Sequence, residues 1–334
     1  MSLFDNELPS LPWKDAVRLV RKVAPKRSTY AMLQNAKATC NGDYCTLLAT
    51  DLDMGVQVRT PCTHKPGTYI LSIERMVAGL PFDKCISDLD PEDYPQLPMV
   101  PENATYLEPH WIPAMCDVAF ACSTDSTRLS LRGVAVKADG CTATDGHRAS
   151  HRASDTGATD SGFIVPRPTV ALVAGIKGTV QRVDVEHTDL PPFVWFAYPW
   201  GYVVSKTVEG PYPNWERLIV RSFMWELSFP RGKWNEWIKQ CPDPKKPLFS
   251  EIRVVRTSGR ARVSFFHGVV GEVDIEELDS EGPDMSIAWN PSYLRESIAH
   301  VTGPVVTVAG NKEIQATFVQ PGGTDVDILM PLRI

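Results

Sequence analysis

The sequence predicts an α+β chain of three domains, and three observations lead there. Its 334 residues exceed what one hydrophobic core organises. Helical patterns fall two to each third of the chain among strand-like runs, and short segments of the first third recur in the second. In chain order, Trp13, Ala16, Val17, Val20 and Val23 recur at helical spacing and mark a first helix, whose opposite face carries Lys14, Arg18, Arg21 and Lys22. Further helices are expected near 72–80 (Ile73, Met76, Val77, Leu80), 111–120, 168–176, 233–240 (Trp234, Trp237, Ile238) and 291–301. Pro168 and Pro291 stand where a first helical residue would be, and Asn290 is a good N-cap. Strands are expected at Val254-Val255, Ala261-Arg262-Val263-Ser264-Phe265-Phe266, Val305-Val306-Thr307-Val308 and Ile314-Gln315-Ala316-Thr317-Phe318-Val319. The domain limits that follow are 1–104, 105–220 and 221–334.

The repeat rests on two pairs of markers. Ala49-Thr50-Asp51 answers to Ala143-Thr144-Asp145, and Asp93-Tyr94-Pro95 answers to Pro211-Tyr212-Pro213. From Ala49 to Pro95 is 46 positions and from Ala143 to Pro213 is 70, so the first interval is shorter by 24. At about five or six residues per strand plus turns, that is two to three strands. They are missing after Gly79-Leu80-Pro81, where the chain passes almost directly to Tyr94-Pro95.

Composition narrows the function classes. With 43% hydrophobic and 22% charged residues the chain reads as an ordinary globular protein. It has no run of eighteen apolar residues and no signal-peptide pattern, so a cytoplasmic protein without membrane contact is expected. Eight cysteines without a CxxC pair read as free, mostly buried thiols. A net charge of −6 alone counts against a strong grip on phosphates, although a protein that slides on DNA needs only a weakly positive lining. His147 and His151, four apart behind Asp145, raise a metal site or a catalytic dyad, and with it a hydrolase. Arg148 and Arg152 beside them, and too few carboxylates, argue against both. No P-loop, dinucleotide fingerprint or nucleophile elbow is present, so no catalytic residue, metal or cofactor is expected.

Three segments remain: Ala143-Thr144-Asp145-Gly146-His147-Arg148, Gly210-Pro211-Tyr212-Pro213-Asn214-Trp215-Glu216-Arg217-Leu218-Ile219, and the apolar terminal run Asp327-Ile328-Leu329-Met330-Pro331-Leu332-Arg333-Ile334. An apolar terminus predicts a docked final strand. By pattern alone, alternating Ile328, Met330 and Leu332 are core residues of that strand. Taken in order, the three segments resemble the bacterial DNA polymerase III beta sliding clamp family. Weaker echoes lie at Ala49-Thr50-Asp51-Leu52-Asp53-Met54, Phe163-Ile164-Val165-Pro166-Arg167 and Asn290-Pro291-Ser292-Tyr293-Leu294, so the resemblance spans almost the whole chain.

The resemblance implies a three-domain DNA clamp, each domain with inward helices and a curved antiparallel outer sheet. It implies a non-catalytic processivity factor that encircles double-stranded DNA without sequence preference. A pocket between the second and third domains would take short clamp-binding peptides from the replicative DNA polymerase and the clamp loader. The residues carried over to that pocket are Arg128, Leu131, Thr144, Gly146, His147, Arg148, Pro213, Arg217, Leu218, Ile328, Met330, Pro331, Leu332 and Arg333. Arg128, Arg148 and Arg217 would bond peptide carbonyls or carboxylates. Ala149 stands where the family usually has Leu, which predicts a wider pocket. The DNA contacts implied are Arg21, Lys22, Lys26, Arg27 and Arg167, against the plainer reading of a solvated helix face. A rival reading keeps the pocket in a clamp-like or decoy protein that does not encircle DNA. The head-to-tail ring should be weakened, or closed through a different edge. Strands of the first domain are missing, and the third domain carries three prolines within Gln240-Cys241-Pro242-Asp243-Pro244-Lys245-Lys246-Pro247-Leu248.

Overall fold

Helix α1 (Trp13–Val23) forms where its apolar spacing places it, with Ala16, Val17, Leu19, Val20 and Val23 buried and Lys14, Arg18 and Lys22 exposed. It belongs to a computed structural model that describes residues 9–186, 192–218, 223–241, 250–267, 271–279, 283–301, 303–310, 317–319 and 324–332. The proline-rich residues 242–248, the expected strand residues 314–316, Ile219 and Arg333 lie outside the described residues.

After α1 come β1 (Asn35–Cys40), β2 (Tyr44–Thr50), β3 (Met54–Pro61), β4 (Gly67–Ser72), α2 (Ile73–Val77), α3 (Phe82–Cys85), β5 (Thr105–Leu107) and α4 (Ile112–Val118). The middle of the chain supplies β6 (Gly133–Lys137), β7 (Gly140–Thr144), β8 (Arg148–Ala153), β9 (Phe163–Pro166), α5 (Arg167–Ala174), β10 (Arg182–Val185), β11 (Phe193–Tyr198) and β12 (Gly201–Lys206). The last third adds β13 (Trp225–Pro230), α6 (Arg231–Gln240), β14 (Ser250–Thr257), β15 (Arg260–His267), β16 (Gly271–Asp279), β17 (Met285–Trp289), α7 (Pro291–His300), β18 (Val305–Gly310), β19 (Thr317–Val319) and β20 (Val326–Leu329). All six expected helices are present. Helix α5 starts one residue early, so Pro168 is its second residue, while Asn290 caps α7 by accepting from the backbone N–H of Ser292 and Tyr293. The one-turn α3 was not expected. Between α2 and Tyr94 it is accompanied only by an isolated bridge, Leu71 to Ile86, and a 3-10 turn at Pro91–Asp93.

The chain divides into two compact units. The first, Met1–Cys116, Gly133–Asp139 and Ser154–Gly210, carries an antiparallel sheet in the order β4-β1-β2-β3-β12-β11-β10-β5. Alternate residues of β1 and β2 (Ala36, Ala38, Cys40, Cys45, Leu47, Ala49) are buried, the period-two pattern of a half-covered sheet. Helix α1 packs on β2 and β3. Elsewhere Leu97 and Val100 join Trp195, Tyr202 and Val204 in a smaller cluster, where the Trp195 indole donates to the Pro98 carbonyl at 3.0 Å. Gly55 makes room for this, because a Cβ there would stand 2.2 Å from a methyl of Leu97.

The second unit, Asp117–Arg132, Gly140–Ala153 and Pro211–Ile334, has antiparallel strands in the order β13-β18-β19-β20-β8-β7 and a sheet β16-β15-β14-β17. Trp225, Trp234, Trp237 and Trp289 dominate its core. Trp234 and Trp237 meet edge to face at 5.3 Å, the favoured geometry for aromatic pairs. Their ring N–H groups donate to the Val306 carbonyl and to Glu276, so neither pays for an unmet donor. Strand β20 is buried on both faces: Ile328 packs with Ala149 and Trp215, and Leu329 joins the tryptophan core. The strand is shorter than the alternation predicts. Its last bond to β8 is the in-register one from the Met330 N–H to the His147 carbonyl; Pro331 then has no donor, and the Leu332 N–H turns to the Ala288 carbonyl, both bonds at 2.8 Å.

The sequence repeat is a repeated turn. In each copy the Thr hydroxyl donates to the carbonyl four residues on, from Thr50 to Met54 at 2.8 Å and from Thr144 to Arg148 at 2.6 Å. Each hydroxyl accepts from the N–H two residues on, Leu52 or Gly146. One carboxylate oxygen of Asp51 or Asp145 then accepts the two following N–H groups. The position with positive φ is Leu52 at +80° in one copy and Gly146 at +88° in the other.

Candidate functional site

The second copy of this turn, between β7 and β8, organises a site within the second unit. Tyr212 holds it from one side: its hydroxyl accepts from the Thr144 N–H at 3.0 Å and donates to the Thr142 carbonyl at 3.2 Å. Burial pushes that hydroxyl's pKa well above the usual range, which keeps the donor in place. Arg128 reaches the Asp145 carbonyl at 3.2 Å from the 3-10 turn that also carries the buried Leu131. A Cβ on Gly146 would stand 2.8 Å from the Arg128 guanidinium, so the close approach suits glycine as much as the φ does.

Below the turn, Ala149, Trp215 and Ile328 form a small buried cluster, and Leu218, Val326 and Met330 pack around it half-buried. Pro213 and the exposed Arg217 flank Trp215 on the same segment. Exposed His147 links to Met330 through the 2.8 Å backbone bond and stacks on Tyr293 of α7 at 6.0 Å between ring centroids. These contacts join Arg128, Thr144, Gly146, His147, Leu218, Ile328 and Met330 into one neighbourhood. Leu332 instead bonds to Ala288 at the end of β17. The widening expected at Ala149 is absent. Ala149 is only 4% exposed, because the Trp215 side chain, stacked on His151 at 4.6 Å, covers it.

Arg148 is not presented to solvent either. Its guanidinium donates to Glu296 at 2.5 Å and to the Phe120 carbonyl at 2.7 Å, and lies over the rings of Phe120 and Tyr293. It holds the turn against α7 rather than offering a free cation. Behind it Arg152, in strand rather than loop, donates to Asp117 at 2.5 Å and to both oxygens of Asp327 at 3.0 and 3.2 Å. Burial pushes the Asp327 carboxyl up and the Arg152 guanidinium opposes that shift. His151 is buried, with Nδ1 2.9 Å from the Thr142 hydroxyl, so the two histidines do not face a common ligand. Sequence reasoning gave Tyr293 and Trp215 no role. The Asn290-Pro291 cap, which fixes where α7 begins, was the signal that placed Tyr293 on its first turn.

The basic residues lie in the first unit. Arg21 and Lys22 end α1, while Lys26 and Arg27 follow it and are exposed. Lys22 donates to the Gly175 carbonyl at 3.1 Å, at the C-terminal end of α5, where a cation complements the helix dipole. Arg167 begins the same helix, about 12 Å along it from the position of Gly175.

No protein-family model matches the chain. It is 25% identical to the beta sliding clamp of Caulobacter vibrioides over an alignment of 358 positions covering 94% of this chain and 96% of that protein. To the beta sliding clamp of Synechococcus elongatus it is 24% identical over 370 positions, covering 96% of each. Its fold is shared with the DNA polymerase sliding clamp of Bacillus subtilis, with a TM-score of 0.80 at 19% identity over 96% of this chain and 97% of the other. A sliding clamp from Bartonella birtlesii, solved with griselimycin bound, superposes with a TM-score of 0.81 at 19% identity over 97% and 99%. No helix among the described residues is long and apolar enough to cross a membrane.

Proposed function

Because the chain belongs to the bacterial DNA polymerase III beta sliding clamp family, we propose that it is a DNA polymerase processivity factor, which encircles duplex DNA and holds a polymerase through a peptide site on its second unit. It performs no chemistry of its own. Tethering raises the effective concentration of polymerase at the primer end, which is the whole of the effect required. In this reading the chain keeps three clamp domains, 1–104, 105–220 and a third over 221–334, the first of them shortened.

One observation supports the peptide site above the others. Past Met330 the chain leaves the sheet, and Met330, Pro331 and Leu332 are half-exposed, with Met330 beside the exposed His147 and on the Ala149–Trp215–Ile328 cluster. An extended peptide gains main-chain bonds along such a segment and specificity from its apolar rim, with the exposed Arg128 and Arg217 near enough to meet its carboxylates. Polymerase and clamp loader would share this site. Lys26 and Arg27 would touch phosphates and carry no sequence information. A peptide with a Gln followed by spaced Leu and Phe is expected to bind, and deleting residues 330–334 is expected to abolish binding without unfolding the protein. Unchanged affinity of the deletion variant in a fluorescence-anisotropy titration would remove the site.

A further inference from the structure

Three cysteines of the first unit meet at one point. Cys40 and Cys45 are cross-strand partners in β1 and β2, and Cys62 follows β3 with its N–H donating to the Asp43 carbonyl at 3.0 Å. Their sulfurs all lie within 4.8 Å of one another, Cys40 and Cys45 buried and Cys62 half-buried. We propose that Cys40, Cys45 and Cys62 form a binding site for a thiophilic cation of the zinc class, which pins the β1–β2 hairpin to the end of β3.

The geometry fits such an ion. A Zn–S bond of about 2.3 Å in a tetrahedral site sets its sulfurs about 3.8 Å apart, within the separation seen here. A donor set of thiols without carboxylates selects zinc or copper(I) over magnesium or calcium. Two of the three ligands are already fixed opposite each other by strand pairing, so little conformational freedom is lost on binding. The half-buried Cys62 lines a cavity of about 590 Å³ with Trp13, Val17, Met76, Leu80 and Phe82. That cavity, whose rim also carries Lys14 and Arg18, is the side from which an ion would reach Cys62.

The thiols must lose their protons to bind. Each thiol that coordinates releases one proton to solvent, up to three per ion. Affinity should therefore rise with pH.

The test uses the full chain, reduced and stripped of metal, titrated with Co²⁺ as a spectroscopic probe and then with Zn²⁺. One equivalent of Co²⁺ should give a sulfur-to-metal charge-transfer band, stronger at higher pH, that Zn²⁺ removes. Cys62→Ser, chosen because the position is half-buried, should weaken binding by more than roughly 100-fold, since changes even outside the ligand shell cost ~10–100-fold. Cys85→Ser, at a buried cysteine outside the cluster, should leave it unchanged. Excess Zn²⁺ should raise the melting temperature of the parent and not that of Cys62→Ser. The absence of a band, a band equally strong in Cys62→Ser and Cys45→Ser, or a Cys40–Cys45 disulfide in the freshly isolated protein would each overturn the site.

Discussion

Leu52 holds a backbone φ of +80°, where a Cβ crowds the following carbonyl at a cost of roughly 1–2 kcal/mol. Its counterpart in the second turn, Gly146, has no such cost. Leu52 is 51% exposed, so removing its side chain forfeits little burial. Glycine also frees the unfolded chain, which offsets part of the relief, and Leu52→Gly is expected to stabilise the protein by about 0.5–1 kcal/mol. A urea midpoint that falls instead would show that the leucine side chain contributes more than its conformation costs. The pairing of Thr50-Asp51 with Thr144-Asp145 was legible in the sequence because the Thr hydroxyl and the Asp carboxylate bond to backbone groups of their own turn. The commitments of Arg148 were not. Its partners, Glu296 and the Phe120 carbonyl, lie far away in the chain, and nothing in the residue type says that a cation will be spent inside.

Helix α6 is tied to β16 through Glu276, which accepts from Lys233 at 2.8 and 3.1 Å and from the buried Trp237 ring N–H at 2.7 Å. The bond from Lys233, then that from Trp237, holds the Glu276 carboxyl below its usual pKa. A carboxylate with a depressed folded-state pKa adds stability above its unfolded value, about 4.3, and that stability is lost as pH falls through the folded value. Glu276→Gln should therefore lower stability by about 1–2 kcal/mol at neutral pH, the scale of a hydrogen bond to a charged acceptor. The gap from the parent should close as the pH falls below 4. A gap that persists in acid would assign the loss to packing rather than charge. At this scale the helices were legible, since apolar spacing and the Asn290-Pro291 cap are local signals. The departure of the chain after β20 was not, because the Leu332 N–H turns to the carbonyl of Ala288, which the terminal sequence does not contain.

For the molecule as a whole, the shortened first third bears on assembly. Strand β4 is an edge of its sheet, and part of that edge is taken, since Ser87 donates to the Ile70 carbonyl at 2.8 Å and Ile86 bridges Leu71. A head-to-tail interface closes a ring only if its rotation fits. We expect a dimer weaker than is usual for clamps, with a monomer visible by sedimentation velocity in dilute solution. The protein should also be retained on circular DNA and run off linear DNA. A single dimer persisting at nanomolar concentration would show that another edge had taken over, and equal loss from circular and linear DNA would favour a clamp-like protein that does not encircle. The central place of β20 bears on synthesis as well. Arg152 on β8 meets Asp117 earlier in the chain, but Asp327 comes 175 residues later, and until then its strand is not flanked on that side. At about 5–20 residues per second that wait lasts roughly 10–35 s. Through it the nascent second unit carries an open strand edge, so ribosome-bound chains that stop short of β20 should be cut by protease within 140–153, a stretch the finished protein protects.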